Sequence, residues 1–166
     1  MNGKELARLI SYAVRAHEKF PKEPSMTVRR WDGKTPYGIH PVWCATTLLH
    51  ETNLPAKLRI VGAQTLLFHD LLEDTVTILP KGISLRVKEL VEGMTFTSSN
   101  EEMKKIWERP KEIRLFKLYD KVSNILDGTW MAPKKKRKYL TYIRRLADDV
   151  EQNYGLLNVV RIARAL

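Results

Sequence analysis

The sequence predicts an all-α protein, a single-domain helical bundle, and three observations support that prediction. Apolar residues recur every three or four positions through most of the 166-residue chain, which is the spacing of one face of a helix. Prolines and capping residues stand where these segments begin, and glycines follow several of their ends. Strand patterns are scarce, since only TVRRW, residues 27 to 31, is a plausible strand.

The first helix is expected over residues 3 to 19, because Asn2 and Glu5 have the spacing of a capping box. The next segment, residues 20 to 38, is rich in proline and glycine and is expected to be a long loop or a short hairpin, and loops of this length often carry function. Prolines then suit the first turns of later helices, and Gly128 suits the end of one. We expect those helices over residues 41–52, 55–72, 84–93, 101–108, 110–128 and 133–153, with a short helix at the C terminus.

Composition excludes several classes of protein. Hydrophobic residues make up 43% of the chain and charged residues 29%, which is ordinary globular usage and not that of a disordered or low-complexity chain. No apolar run approaches the roughly 18 residues that span a bilayer, and the N terminus lacks the features of a signal peptide. With Cys44 as the one cysteine, an internal disulfide is impossible, so a reducing, cytoplasmic setting is expected.

The chain is strongly basic, with a formal net charge of +10, which favours an anionic partner such as a phosphorylated metabolite or a nucleic acid. The run PKKKRK, residues 133 to 138, contributes much of this charge. Because apolar residues follow it at helical spacing, we interpret it as the solvated face of a helix. The alternative is a basic rim that attracts polyphosphate or RNA.

The segment AQTLLFHDLLEDT, residues 63 to 75, concentrates acidic and imidazole side chains on one predicted helix. His69 and Glu73 are four positions apart, as are Asp70 and Asp74, so each pair shares a face. Carboxylates this close raise one another's pKa. The pattern indicates either a bound divalent cation or a fully solvated helix end.

Two further segments favour the cation. His40 precedes a proline-started helix, where its ring can be held in place, and Asp120 lies at the border of an apolar helix face, which is costly unless the carboxylate is paired or binds metal. Together with His69 and Asp70 they form a mixed nitrogen and oxygen set that suits Mn²⁺, Fe²⁺ or Zn²⁺. Glu73 and Asp74 would remain beside the metal to orient or deprotonate a water.

Three stretches, YGIHP, FHDLLEDT and KLYDKVSN, occur in this order and resemble the HD-domain metal-dependent phosphohydrolases, above all the small RelA/SpoT-type alarmone hydrolases. The resemblance covers roughly residues 5 to 130 and implies one hydrolase domain of the HD type over residues 1–166, with C-terminal helices over 133–166. It implies a Mn²⁺ site made by His40, His69, Asp70 and Asp120. It also implies that Glu73 and Asp74 activate or position the attacking water, and that substrate contacts come from Arg30, Trp31, Lys34, Tyr37, Lys121 and Asn124.

The chain departs from this family at two places. Family members carry an Arg-Lys pair before the PYxxHP segment. Here Arg30 matches the arginine and Trp31 replaces the lysine, so Trp31 is expected to stack on a base while Lys34 or Arg29 supplies the charge. The second departure is Tyr119, which stands beside Asp120 where the family has alanine.

The activity that the resemblance implies is removal of the 3′-pyrophosphate of ppGpp-like alarmones, giving GDP or GTP and pyrophosphate. One alternative keeps the metal site but changes the substrate to NADPH, through its 2′-phosphate, a deoxynucleoside triphosphate or a nucleoside monophosphate. The other is a non-catalytic, basic, helical domain that binds nucleic acid.

Overall fold

Nine α-helices form the fold in the computed structural model, which describes residues 1 to 166. The helices are α1 (Gly3–Lys19), α2 (Ile39–Leu49), α3 (Ala56–Phe68), α4 (Leu71–Asp74), α5 (Leu85–Met94), α6 (Ser99–Lys105), α7 (Lys111–Leu126), α8 (Pro133–Tyr154) and α9 (Asn158–Ala165). No strand is present, because Val28 makes only an isolated bridge with Pro36 where TVRRW had suggested one. The all-α prediction is confirmed.

Local capping explains several helix starts. The Asn2 side chain accepts a hydrogen bond from the Glu5 backbone N–H at 2.9 Å, as the capping-box spacing predicts. Ser84 and Ser98 cap α5 and α6 in the same way. Helix α8 ends just before Gly155, which adopts a φ of +80°. Glycine has no β-carbon, so this conformation carries no steric penalty for it.

Helix α7 lies at the centre of the bundle and packs against α2, α3, α5, α8 and α9. Its side chains are buried on nearly every side, Phe116 and Tyr119 completely. Helices α2 and α3 approach closely beside it, and Gly62 of α3 makes that approach possible. A β-carbon at position 62 would lie 2.4 Å from the Leu48 side chain and 2.5 Å from the Phe116 ring.

The prediction of a single helix over residues 55 to 72 is wrong in one respect, because the helix breaks at His69 and Asp70. On one continuous helix these adjacent residues would point about 100° apart. At the break the two side chains instead lie next to each other, with His69 Nε2 3.2 Å from Asp70 Oδ1.

No helix in the fold combines the length and the apolar composition that a membrane crossing needs.

Candidate metal centre and substrate cavity

Three elements bring two histidines and two aspartates together. His40 lies in the first turn of α2, His69 and Asp70 lie at the break after α3, and Asp120 lies in the middle of α7. The two imidazole Nε2 atoms are 3.2 Å apart. One ligand atom from each of His40, His69 and Asp120 falls within 4.8 Å of the others, and Asp70 Oδ2 lies 3.3 Å from His40 Nε2.

Hydrogen bonds behind the rings fix how the two histidines face the cluster. His69 Nδ1 donates to the Leu66 carbonyl at 2.8 Å, so in the neutral ring the lone pair is on Nε2. His40 Nδ1 is hydrogen-bonded to Ser123 Oγ at 2.8 Å. Such outer contacts orient metal-binding imidazoles and set their tautomer.

The electrostatics of this cluster call for a positive charge. The neutral His69 ring presents an acceptor, Nε2, and the carboxylate oxygens of Asp70 and Asp120 are acceptors as well, and these atoms lie close together in a buried space. Although burial opposes protonation, the carboxylates of Asp70 and Asp120 raise the pKa of His69 to about 10. The pKa of His40 also rises, against the effect of burial. A divalent ion supplies the same charge without the protons, so these residues fit a metal ion.

Glu73 and Asp74 flank this cluster with carboxyl groups that titrate close to neutral pH. Burial and the charge of Asp70 raise the pKa of Glu73 to about 7 and that of Asp74 to about 6. Glu73 Oε1 accepts a hydrogen bond from the N–H of Phe96, which follows α5, at 3.0 Å. Carboxyls with such pKa values can exchange a proton with water near pH 7.

A cavity of about 490 Å³ opens in front of this cluster. Its lining includes most of the residues that the sequence put forward for the site: Arg30, Tyr37, Asp70, Glu73, Asp74, Asp120, Lys121 and Asn124. His40 and His69 lie behind that surface and are buried. The cavity therefore ends at the residues that fit a metal.

Trp31 and Lys34, in contrast, are not among the residues that line the cavity. The Asp32 carboxylate accepts hydrogen bonds from the backbone N–H groups of Lys34 and Thr35, each at 2.9 Å. With Gly33 at a φ of +65°, these bonds make a tight turn away from the cavity. Trp31 is 49% exposed at that turn.

Arg29 makes more contacts at the cavity than the sequence suggested. Its buried guanidinium donates from Nε to Asp127 Oδ2 at 2.6 Å and from Nη2 to Asn124 Oδ1 at 2.9 Å. Asn124 in turn donates to Asp120 Oδ1 at 2.6 Å. Arg29 therefore lines the cavity in a fixed position, and both the oxygen and the nitrogen of the Asn124 amide are hydrogen-bonded.

The mouth of the cavity carries an aromatic and basic rim. The sequence indicated its basic part, through Arg30 and the alternative given for PKKKRK, but not its aromatic part. Trp130 is 38% exposed and lines the cavity. The Arg30 guanidinium lies 5.0 Å from its ring centre and Lys135 Nζ lies 5.1 Å from it. Lys135 belongs to the PKKKRK run, so one residue of that run reaches the cavity. An aromatic residue just before a basic run was the available signal.

Comparisons with known proteins bear on this arrangement. No family model matches the chain, and no curated protein matches it significantly. One solved structure that is similar is described as a metazoan ortholog of SpoT that hydrolyzes ppGpp and plays a role in starvation responses. It superimposes with a TM-score of 0.72 at 19% sequence identity, over 99% of this chain and 94% of that one. This chain has the same fold. The resemblance seen in the sequence is thus confirmed at the level of the fold.

Proposed function

We propose that this protein is a metal-dependent phosphohydrolase, one hydrolase domain over residues 1–166, that removes the 3′-pyrophosphate of a ppGpp-like nucleotide. The observation that supports this most directly is the buried His–Asp cluster at the end of a cavity with a basic rim. The fold shared with a ppGpp-hydrolysing protein agrees with it.

In this proposal His40, His69, Asp70 and Asp120 hold one Mn²⁺, with Fe²⁺ and Zn²⁺ as alternatives that the same donors suit. When bound, such an ion neutralises charge on the scissile phosphate and makes water more acidic. The contacts of His69 with Leu66 and of His40 with Ser123 keep both rings turned toward that position.

Glu73 and Asp74 act on the attacking water. The Phe96 N–H fixes one oxygen of Glu73, which leaves the other free to accept a proton. Water attacks the phosphorus joined to the ribose 3′ oxygen, its proton passes to a carboxylate, and the bond from phosphorus to the 3′ oxygen breaks. The 3′ oxygen leaves as a hydroxyl after taking up a proton, and pyrophosphate is the second product.

The rim binds the rest of the nucleotide. Arg30 and Lys135 are cations placed to receive phosphate oxygens, and the Trp130 ring, over which both cations lie, keeps them at the cavity mouth. The net charge of +10 raises the local concentration of a polyanion. Tyr37 serves as support, because its hydroxyl donates to Asp70 Oδ2 at 2.5 Å.

A substrate panel tests this function. The protein is incubated with Mn²⁺ and ppGpp, pppGpp, ppApp or NADPH, and the products are separated by chromatography. We expect GDP from ppGpp and GTP from pppGpp, each with an equal amount of pyrophosphate. His69→Ala and Asp70→Ala should abolish turnover while the circular dichroism spectrum is retained. Release of orthophosphate from NADPH alone, or turnover that survives both substitutions, would contradict the proposal.

A further inference from the structure

Four charged side chains form a buried cluster on the side of Asp120 that faces away from the histidines. Lys117 and Lys121 come from α7, as Asp120 does, and Glu102 reaches in from α6. Lys117 Nζ lies 3.1 Å from Asp120 Oδ2 and 3.2 Å from Glu102 Oε2. Lys121 Nζ lies 3.1 Å and 2.9 Å from the same two atoms. All four residues are buried.

This cluster divides the two oxygens of Asp120 between different partners. Oδ2 contacts both ammonium groups, whereas Oδ1 accepts the Asn124 amide at 2.6 Å and lies 3.5 Å from His40 Nε2. The carboxylate cannot rotate without losing contacts on both sides. Asp120 is therefore held with one oxygen toward the candidate metal position.

Glu102 makes this arrangement possible. Two lysine ammonium groups on one carboxylate oxygen repel each other, and burial raises the cost of that repulsion. The Glu102 carboxylate contacts both and brings the cluster to zero net charge. Lys121, which the sequence put forward as a substrate contact, is thus paired with Asp120 and Glu102.

We propose that Glu102 and Lys117 are positioning residues, which act together with Lys121 to fix the side-chain orientation of Asp120 for metal binding. The inference rests on the proposed metal site and extends it to α6, a helix outside the stretches that carry the family resemblance. Neither residue is among the proposed metal ligands, so both act through Asp120.

The variant Lys117→Met separates positioning from charge. Removing a nearby positive charge strengthens the binding of a cation if charge alone matters. If the restraint on Asp120 matters, its loss weakens the binding of the cation. Substitution of a residue that supports a metal ligand typically weakens metal binding by roughly 10- to 100-fold. We expect the dissociation constant for Mn²⁺, measured by competition with a fluorescent chelator, to rise by that factor. An unchanged or lower dissociation constant would overturn the inference.

A charge-balanced double variant, Lys117→Met with Glu102→Gln, covers the case in which the single variant does not fold. It removes one charge of each sign and keeps the contact between Lys121 and Asp120. Positioning predicts weaker Mn²⁺ binding here as well, whereas charge alone predicts no change, which would overturn the inference.

Lys105→Met is the matched control, because Lys105 lies on α6 but is exposed and pairs with half-buried Glu101 at 2.8 Å. Its Mn²⁺ affinity should equal that of the unsubstituted protein, and an equal loss in this control would overturn the inference. If the unsubstituted protein binds no Mn²⁺ at all, the proposed function itself fails, and the two failures are thereby distinguished.

Discussion

At the scale of single residues, Tyr119 shows how a departure from a family pattern is accommodated. A bulky side chain next to Asp120 suggests interference with the metal, but successive residues on a helix point in different directions. The Tyr119 ring lies on the other side of α7, where its hydroxyl donates to Glu51 Oε1 at 3.0 Å. The same carboxylate accepts the Asn158 and Val159 N–H groups at the start of α9. Tyr119 thus ties the C-terminal helix to the helix that carries Asp120.

His17 is a second residue whose environment has a measurable consequence. Its ring is buried against Tyr37, with ring centres 4.7 Å apart, and neither ring nitrogen has a hydrogen-bond partner. Burial, the largest influence, lowers its pKa from 6.5 to about 4. Between these values the unfolded chain binds a proton that the folded protein excludes, so stability falls as pH decreases from about 6.5 toward 4.

His17→Gln tests this pH dependence. Between pH 7.5 and pH 5 we expect the unfolding free energy of the natural protein to fall by about 2 kcal/mol more than that of the variant. Urea unfolding followed by circular dichroism measures both. His50→Gln, at an exposed histidine, serves as the control and should follow the natural protein. Equal pH dependence in the natural protein and in His17→Gln would show that His17 is not held neutral.

At the scale of helices, the predictions succeeded where local chemistry decides the outcome. The start of α1 depends on Asn2 and Glu5, and that of α8 on Pro133, so both could be located from the sequence. The break at His69 and Asp70 could not, because no proline or glycine marks it in the sequence. The turn that carries Trp31 away from the cavity was missed although its cause, the Asp32 side chain, is local.

Close contact between helices gives a prediction at Gly62. Alanine stabilises a helix by about 1 kcal/mol relative to glycine. At position 62, however, the added carbon would clash with Leu48 and Phe116, and such overpacking costs about 1–3 kcal/mol. We expect Gly62→Ala to lower the unfolding free energy, measured with urea, by about 1 kcal/mol. At Gly3, where nothing lies within 4 Å, the same substitution should not destabilise the protein. A gain in stability at position 62 would mean that α2 and α3 can separate without cost.

At the scale of the whole molecule, the fold class and the residues of the buried His–Asp cluster could be proposed from the sequence, because helical periodicity and three ordered motifs indicate them. The cavity wall was less accessible. Trp130 and Glu102 reach it from segments outside those motifs, and Arg29 is distinguished from Arg30 by its contact with Asp127. Such contacts between distant segments exist only after the helices have packed.

The central claim is that one divalent ion, held where α2, α7 and the break after α3 meet, makes this fold an enzyme. Its most direct test is a titration of metal-stripped protein with Mn²⁺, in which bound metal and the rate of pyrophosphate release from ppGpp are measured on the same samples. We expect no turnover without metal and a rate that rises in proportion to occupancy until one ion is bound per chain. Full activity in the stripped protein, or a rate unrelated to occupancy of that site, would contradict the account.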